Sequence, residues 1–154
     1  NYTDVISLER AKLYLKVDAS QTETDDEITS MINSSLSFIE KRTNHIFKTR
    51  NKTYYKDCNL VEKTTVYDYP INNPEGEGFI SGIVYKTNKA IVPTVDGFVT
   101  LNIGYSDVDD IPNELIDSAL QLIKVWFYES ETQSNTTLIP LSVMQAIDVN
   151  RRFV

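Results

Sequence analysis

Cysteine is almost missing from this chain: Cys58 is the only one in 154 residues, which excludes an intrachain disulfide and leaves stability to packing. That usage fits folding in a reducing compartment. Histidine is as scarce, with His45 alone, so no pair of histidines exists to build a zinc site or a proton relay. Glycine and proline stand at five each, too few for long low-complexity linkers. No apolar stretch approaches the roughly 18 residues that span a bilayer, and NYTDVISLERAK has no basic head followed by an apolar run, so no secretion signal is expected. Positive charge is also short: 15 Lys and Arg face 22 Asp and Glu, a net charge of −7. That balance argues against a general nucleic-acid binder, which needs cations to displace counterions from phosphate. It also disfavours adhesion to anionic membranes, yet it suits a surface past which DNA slides without sticking.

What is present is an ordinary globular composition, 41% hydrophobic and 24% charged, with nine tyrosines. A chain of this length fits one domain and buries roughly 68–70% of its unfolded surface. Its pattern runs helical, strand-rich, helical, without internal repeats. Ser7 is a candidate N-cap for a short helix over 7–16, with Glu9 in the first turn and Leu8, Ala11, Lys12 and Leu15 on one face. Thr24 and Glu27 have capping-box spacing, and Ile28, Met31, Ile32, Ser35, Leu36, Ile39 and Thr43 recur at three and four, predicting a helix over 25–43 that Asn44 ends.

From 47 to 105 the period changes. KTYYKDC, KTTVYDYPI, GFISGIVYK and GFVTLNIGY are rich in β-branched and aromatic residues. Turn signals separate them, among them Asn72-Asn73-Pro74, Gly76, Gly78, Asn88 and the hairpin pair Asp96-Gly97. Three to five short antiparallel strands are expected, too few for a large sandwich. Ile111-Pro112 then opens a helix over 112–130, with proline placed where its missing donor costs nothing. Leu115, Ile116, Ala119, Leu120, Leu122, Ile123, Trp126 and Phe127 make it apolar over most of its girth, so it needs cover on several sides, part of it expected from another chain. ESETQSNTT reads as a polar break. Beyond it Leu138, Ile139, Pro140, Leu141, Val143, Met144, Ile147, Arg151, Arg152, Phe153 and Val154 read as a docking tail. The expected fold is therefore α+β and mostly helical: two long helices with short ones, a small antiparallel β region, a single domain over 1–135 and a C-terminal docking segment over 136–154.

Catalytic chemistry is hard to find. His45 reads as a helix-end surface residue and Cys58 as a half-buried structural thiol. Asp107, Asp109 and Asp110 lack the glycine and bidentate glutamate of a calcium loop and read as acids at a helix start, as do Asp25, Asp26 and Glu27. EGEGF lacks the Lys-Ser/Thr pair of a phosphate loop. The glycosylation sequons at Asn33, Asn51 and Asn135 read as chance matches. No catalytic, cofactor-binding or metal-binding residue is nominated, and no cofactor is expected.

Three stretches carry a family resemblance: SLERAKLYLKVDASQTETDDEITSMINSSLSFIEKRTNHIF, VTLNIGYSDVDDIPNELIDSALQLIKVWFYES and IPLSVMQAIDVNRRF. In their order and spacing they resemble the head–tail connector (adaptor) proteins of tailed bacteriophages, the group that includes the connectors beneath the portal in HK97-like and SPP1-like phages. The landmarks are Gly104-Tyr105 at a strand end, Ile111-Pro112 at the start of the apolar helix, Tyr128-Glu129 near its end, and a proline-led closing helix before Arg151-Arg152. The run from Asn73 to Lys89 departs from the family's pattern. The resemblance implies a non-enzymatic virion protein, made in the host bacterial cytoplasm. It implies a twelvefold ring under the portal that extends the channel for double-stranded DNA and receives a stopper or tail protein. On that basis Leu115, Ile116, Leu120, Ile123, Trp126 and Phe127 are expected in the subunit core, and Leu138, Ile139, Pro140, Leu141, Val143, Met144, Ile147, Arg151, Arg152 and Phe153 at the portal and ring interface. Alternatives are a tail-completion or stopper protein of the same virion, a non-phage interaction module, or a small hydrolase using a carboxylate pair.

Overall fold

The computed structural model describes residues 2–56, 63–73, 84–86, 89–94, 97–132 and 139–151. Cys58, the EGEGF run, Asn135, Leu138, Arg152, Phe153 and Val154 lie outside them. The fold is α+β, as expected, and the chain divides into two compact units: residues 1–42 with 111–150, and residues 43–110 with 151–154.

The first unit is helical. Helix α1, Leu8–Leu15, is capped by Ser7, whose side chain accepts from the Arg10 amide at 3.2 Å. It ends where Lys16 turns left-handed at φ 61°, with the Lys16 amide donating to the Leu13 carbonyl at 3.2 Å. Ala11, Lys12 and Leu15 are buried, the expected face. Helix α2, Asp25–Thr43, buries Ile28, Ile32, Leu36 and Ile39 completely along one stripe, and Asn44, at φ 60°, closes it. The Thr24 carbonyl accepts the first helical bond, from Ile28 at 2.9 Å. The expected capping box is incomplete, because the Thr24 hydroxyl is buried with no hydrogen-bond partner.

Helix α3, Asn113–Thr132, starts one residue after the proline, and the Pro112 carbonyl accepts from Leu115 at 2.9 Å. It continues through Glu129–Thr132, where the sequence reads as a break. Helix α4, Leu141–Asn150, follows Pro140 and packs on α3, antiparallel to it: Ser142 donates to Gln121 at 2.6 Å near one end and Asn150 to Glu114 at 3.1 Å near the other. α1 meets α3 nearer its other end, where the Tyr128 hydroxyl donates to the Leu15 carbonyl at 2.9 Å. Among the described residues, no helix is long and apolar enough to cross a membrane.

The second unit is built on two three-stranded antiparallel sheets, more strand than the sequence pattern indicates. Its strands are β1 Arg50–Tyr55, β2 Lys63–Val66, β3 Ile71–Asn73, β4 Val84–Lys86, β5 Lys89–Pro93 and β6 Phe98–Ile103. One sheet has the order β1-β6-β3, the other β2-β5-β4. β5 and β6 alternate strictly between buried and half-buried positions, the period-two signature of a sheet with one face on a core. Val66, Ala90 and Val92 of one sheet share that core with Val99, Leu101 and Ile103 of the other, with Tyr54 and Ile71 at its margin. Val108–Asp110 form a short 3₁₀ helix, and the Asp107 carboxylate before it accepts from the Asp109 amide at 3.0 Å, in place of the expected helix start.

Candidate assembly surfaces

The apolar girth of α3 is covered largely within the protomer. Leu115, Ile116, Ala119, Leu120, Leu122, Ile123 and Phe127 are all buried, so the cover sought from another chain is supplied mainly by this one. Trp126 is half-buried, and its indole N–H is enclosed without an acceptor. A buried N–H that forgoes a hydrogen bond costs about 1–3 kcal/mol.

α4 carries part of that cover, which changes the reading of the C-terminal segment. Val143 and Ile147 are buried at 0% and 2% exposure, and belong to the protomer's core in company with α3. The opposite face of α4 is mixed, with two exposed apolar side chains among exposed Ser142, Gln145 and Asp148. Leu141 is 73% exposed and Val149 82% exposed. They lie two helical turns apart, on one side of the helix. Ile139, Pro140 and Met144 are half-buried and Arg151 is exposed. Of the residues nominated as an interface, then, Leu141 and Arg151 face outward, Val143 and Ile147 face inward, and Val149 was overlooked. No apolar repeat marks it, because Gln145 stands midway between Leu141 and Val149. Reading the segment as a simple tail concealed the second face.

α1 offers a second apolar surface. Leu13 is 79% exposed. Beside it lies a cavity of about 420 Å³ lined by Leu8, Glu9, Lys12, Leu13, Val17, Ala19 and Asp25. Lys12 forms part of this wall. It is buried, paired with the Asp25 carboxylate, and donates to the Gln21 carbonyl at 2.6 Å and more weakly to Ala19 at 3.4 Å. One ammonium thus ties the loop after α1 to the start of α2, through two carbonyl bonds and the ion pair with Asp25 that its burial demands. In the same loop Asp18 accepts from the Ser20 hydroxyl at 2.7 Å and the Ser20 amide at 2.8 Å. Those bonds hold its carboxyl below the ordinary value.

In the β unit, two sequence landmarks prove structural. Gly104 adopts φ +108°, and a Cβ there would stand 2.6 Å from the Lys48 carbonyl oxygen. Only glycine lets these two backbones approach so closely. Tyr105 then donates its amide to Ile46 at 3.0 Å and brings its hydroxyl 2.7 Å from His45 Nδ1. His45 is buried between Tyr105, stacked at 6.0 Å, and Tyr69, edge-on at 5.4 Å. The expectation of a surface histidine is therefore wrong: backbone bonds of Ile46 to Tyr69 and of Tyr69 to Asn44 pull it into an aromatic cluster. Among the described residues no group of three or more His, Cys, Asp or Glu converges as metal ligands would.

No family model matches this sequence, and no curated protein does. Solved structures do. The fold is similar to a chain in the neck of an empty gene transfer agent particle computed with C6 symmetry, at 13% identity and TM-score 0.72, over 98% of this chain and 91% of that one. It is likewise similar to a chain in the virion of the native particle, at 13% identity and TM-score 0.73 with the same coverage. A third likeness is to a chain in the native neck computed with C12 symmetry, at 14% identity, TM-score 0.68 and the same coverage. At such identities the likeness defines a shared fold.

Proposed function

We propose that this chain is a structural head–tail adaptor of a tailed-phage-like particle, with no catalytic role. The observation that carries the reading is the correspondence of nearly the whole chain to components of a particle neck. The sequence resemblance to phage connectors supports it independently. On this reading about twelve copies form a ring beneath the portal, extend the DNA channel and present a surface to a stopper or tail protein. A closed ring needs two unlike patches on each copy, and the α1 cavity with Leu13 and the outer face of α4 are two such patches. The contact with portal is assigned to Ile139, Pro140, Leu141 and Arg151, with Val149 added. Val143 and Ile147 serve by fixing α4 on α3. Leu138, Arg152 and Phe153 complete the segment.

Electron microscopy of portal rings mixed with the chain tests this directly. Wild-type protein is expected to add a ring to the portal, whereas the double variant Leu141→Glu, Val149→Glu stays folded and adds none. Normal docking by the double variant would remove the assignment of α4. A wild-type chain that ignores bare portal but joins portal already carrying another neck ring would mark it as a stopper instead.

A further inference from the structure

Leu13, Leu141 and Val149 are aliphatic side chains left in water, and all three belong to the helical unit. Leu13 stands at the α1 cavity, a concave site whose walls are apolar at Leu8, Leu13, Val17 and Ala19. Leu141 and Val149 project from α4, about 12 Å apart along its axis. The cavity and the last turn of α4 sit toward opposite ends of α3. Tyr128 of α3 holds the Leu15 carbonyl of α1, whereas Glu114 of α3 holds Asn150 at the end of α4. Positions 114 and 128 lie about 21 Å apart along a helix. The last turn of α4 therefore cannot reach the α1 cavity of its own chain, but it can reach that of another copy. Charge follows the same division. Arg10 and Lys16 are exposed three residues before and after Leu13, so they flank it on the helix surface. Glu9 shares the cavity wall, Asp25 is paired with Lys12, and Asp18 is bonded to Ser20. The one charge of α4 is Asp148, exposed next to Val149. A leucine between two cations thus has its counterpart in a valine beside an acid.

We propose that the Asp148–Val149 turn of α4 docks in the α1 cavity of a second copy of this chain, with Val149 against Leu13 and Asp148 beside Arg10 and Lys16. The inference deepens the ring of the proposed function and rests on it for closure. Two unlike surfaces make a head-to-tail contact, which repeats from copy to copy until the rotation closes. Docking removes Val149 and Leu13 from water together, the favourable step. The cavity is also set in advance. The Lys12 ammonium fixes the loop that forms its far wall, through Asp25 and the Gln21 and Ala19 carbonyls, so little ordering is left for the moment of binding. Val149 then lies where portal and a second copy meet, while Pro140 and Leu141, at the other end of α4, stay clear for portal.

The test mixes two variants of the full chain and follows their mass by sedimentation. Val149→Lys puts on α4 a charge of the sign that flanks Leu13, and leaves α1 intact. Leu13→Glu repels Asp148, and leaves α4 intact. Both sites are exposed, so both variants are expected to keep the wild-type circular dichroism. The wild-type chain is expected to self-associate as its concentration is raised, and each variant alone to stay monomeric. Their equimolar mixture is expected to form a one-to-one dimer that grows no further, because one intact head and one intact tail remain. Adding Arg10→Glu with Lys16→Glu to the first variant, or Asp148→Lys to the second, is expected to weaken that dimer about fivefold, the scale of an exposed ion pair. Combining both sets is expected to restore it. A second measurement needs no variant: in a mixture of isotope-labelled and unlabelled wild-type chains, a carbodiimide crosslink is expected to join Lys16 of one copy to Asp148 of another. A mixture that stays monomeric, a dimer formed by either variant alone, or no such crosslink overturns the proposal. A normal ring on portal built by Leu13→Glu would remove this contact and leave the neck reading. Dimers of the mixed variants from a wild-type chain that ignores portal would remove the neck reading and leave the contact standing.

Discussion

In the helical unit, Ile28, Ile32, Leu36 and Ile39 are buried at spacings of three and four along one helix. In the β unit, His45, Tyr69 and Tyr105 meet from positions as much as 60 residues apart. The first arrangement is dictated by local periodicity, because a helix repeats its face every 3.6 residues whatever it packs against. The second depends on chain segments that find one another only after folding. Residues 44–46, 69–70 and 104–105 are tied by backbone bonds from Tyr69 to Asn44, Ile46 to Tyr69, Gly104 to Pro70 and Tyr105 to Ile46. Stability in one unit is a matter of covered apolar stripes, and in the other of a few close approaches that tolerate no substitute.

The largest expected effect tests the second half of that contrast. Gly104→Val forces a branched side chain into φ +108° against the Lys48 carbonyl. A loss of about 4 kcal/mol is expected, combining backbone strain with displacement of a neighbouring backbone. Denaturant titration reads the loss, and hydrogen exchange should locate it in β1 and β6. Loss below about 1 kcal/mol would show that the approach of Lys48 to Gly104 is readily relaxed.

Next in size is a pair of substitutions on α4. Ile147→Ala opens a cavity in the core at a cost of about 3 kcal/mol, whereas Val149→Ala, at an 82% exposed site, should stay within about 0.5 kcal/mol. Thermal unfolding of both variants compares the two faces of one helix. Similar losses from both would mean that the free protein already covers Val149, by self-association.

That helix also marks the limit of what sequence could reveal. The bounds of α2, the Ser7 cap and the Asn44 terminator were legible because each is local chemistry. The apolar content of α3 was legible, but its cover was not, since hydrophobicity does not say which neighbour supplies it. The C-terminal stretch was recognised as apolar and proline-led. Its division into the inward Val143 and Ile147 and the outward Leu141 and Val149 depends on where α3 lies. β3 was missed as a separate strand because INN is shorter than the roughly four residues over which alternation shows, whereas β5, KAIVP, is long enough and was passed over as a connection after the Asn88 turn signal. His45 was misplaced because its partners are distant in sequence.

A smaller effect comes from Lys12, where the helical unit departs from purely apolar packing. Lys12→Met keeps the stem but removes the ammonium, leaving the Gln21 carbonyl and the Asp25 carboxylate without that donor. The Asp25 side chain is 27% exposed, so water replaces part of the interaction. A cost of about 1–2 kcal/mol is expected, seen as a lower denaturation midpoint with unchanged slope. A stabilised variant would mean that the cation's burial outweighs its bonds, and that the loop after α1 closes by apolar contact alone.

The smallest effect returns to the β unit and to pH. The Tyr54 hydroxyl is pushed above its ordinary value of 10.0, first by burial, then by its hydrogen bond to Asp68 and the negative charge there. A raised folded-state value means that the neutral hydroxyl favours folding. Its contribution is fully present below about pH 10 and is lost as pH climbs beyond it, because the unfolded chain then gives up the proton more readily. Tyr54→Phe deletes the bond to Asp68 and should cost about 1 kcal/mol at neutral pH. Above pH 10 the wild-type stability should fall toward that of the variant, so the two alkaline unfolding curves converge. Parallel curves would show that Tyr54 stays neutral for reasons shared with the unfolded chain, and that Lys52 alone holds Asp68 in place.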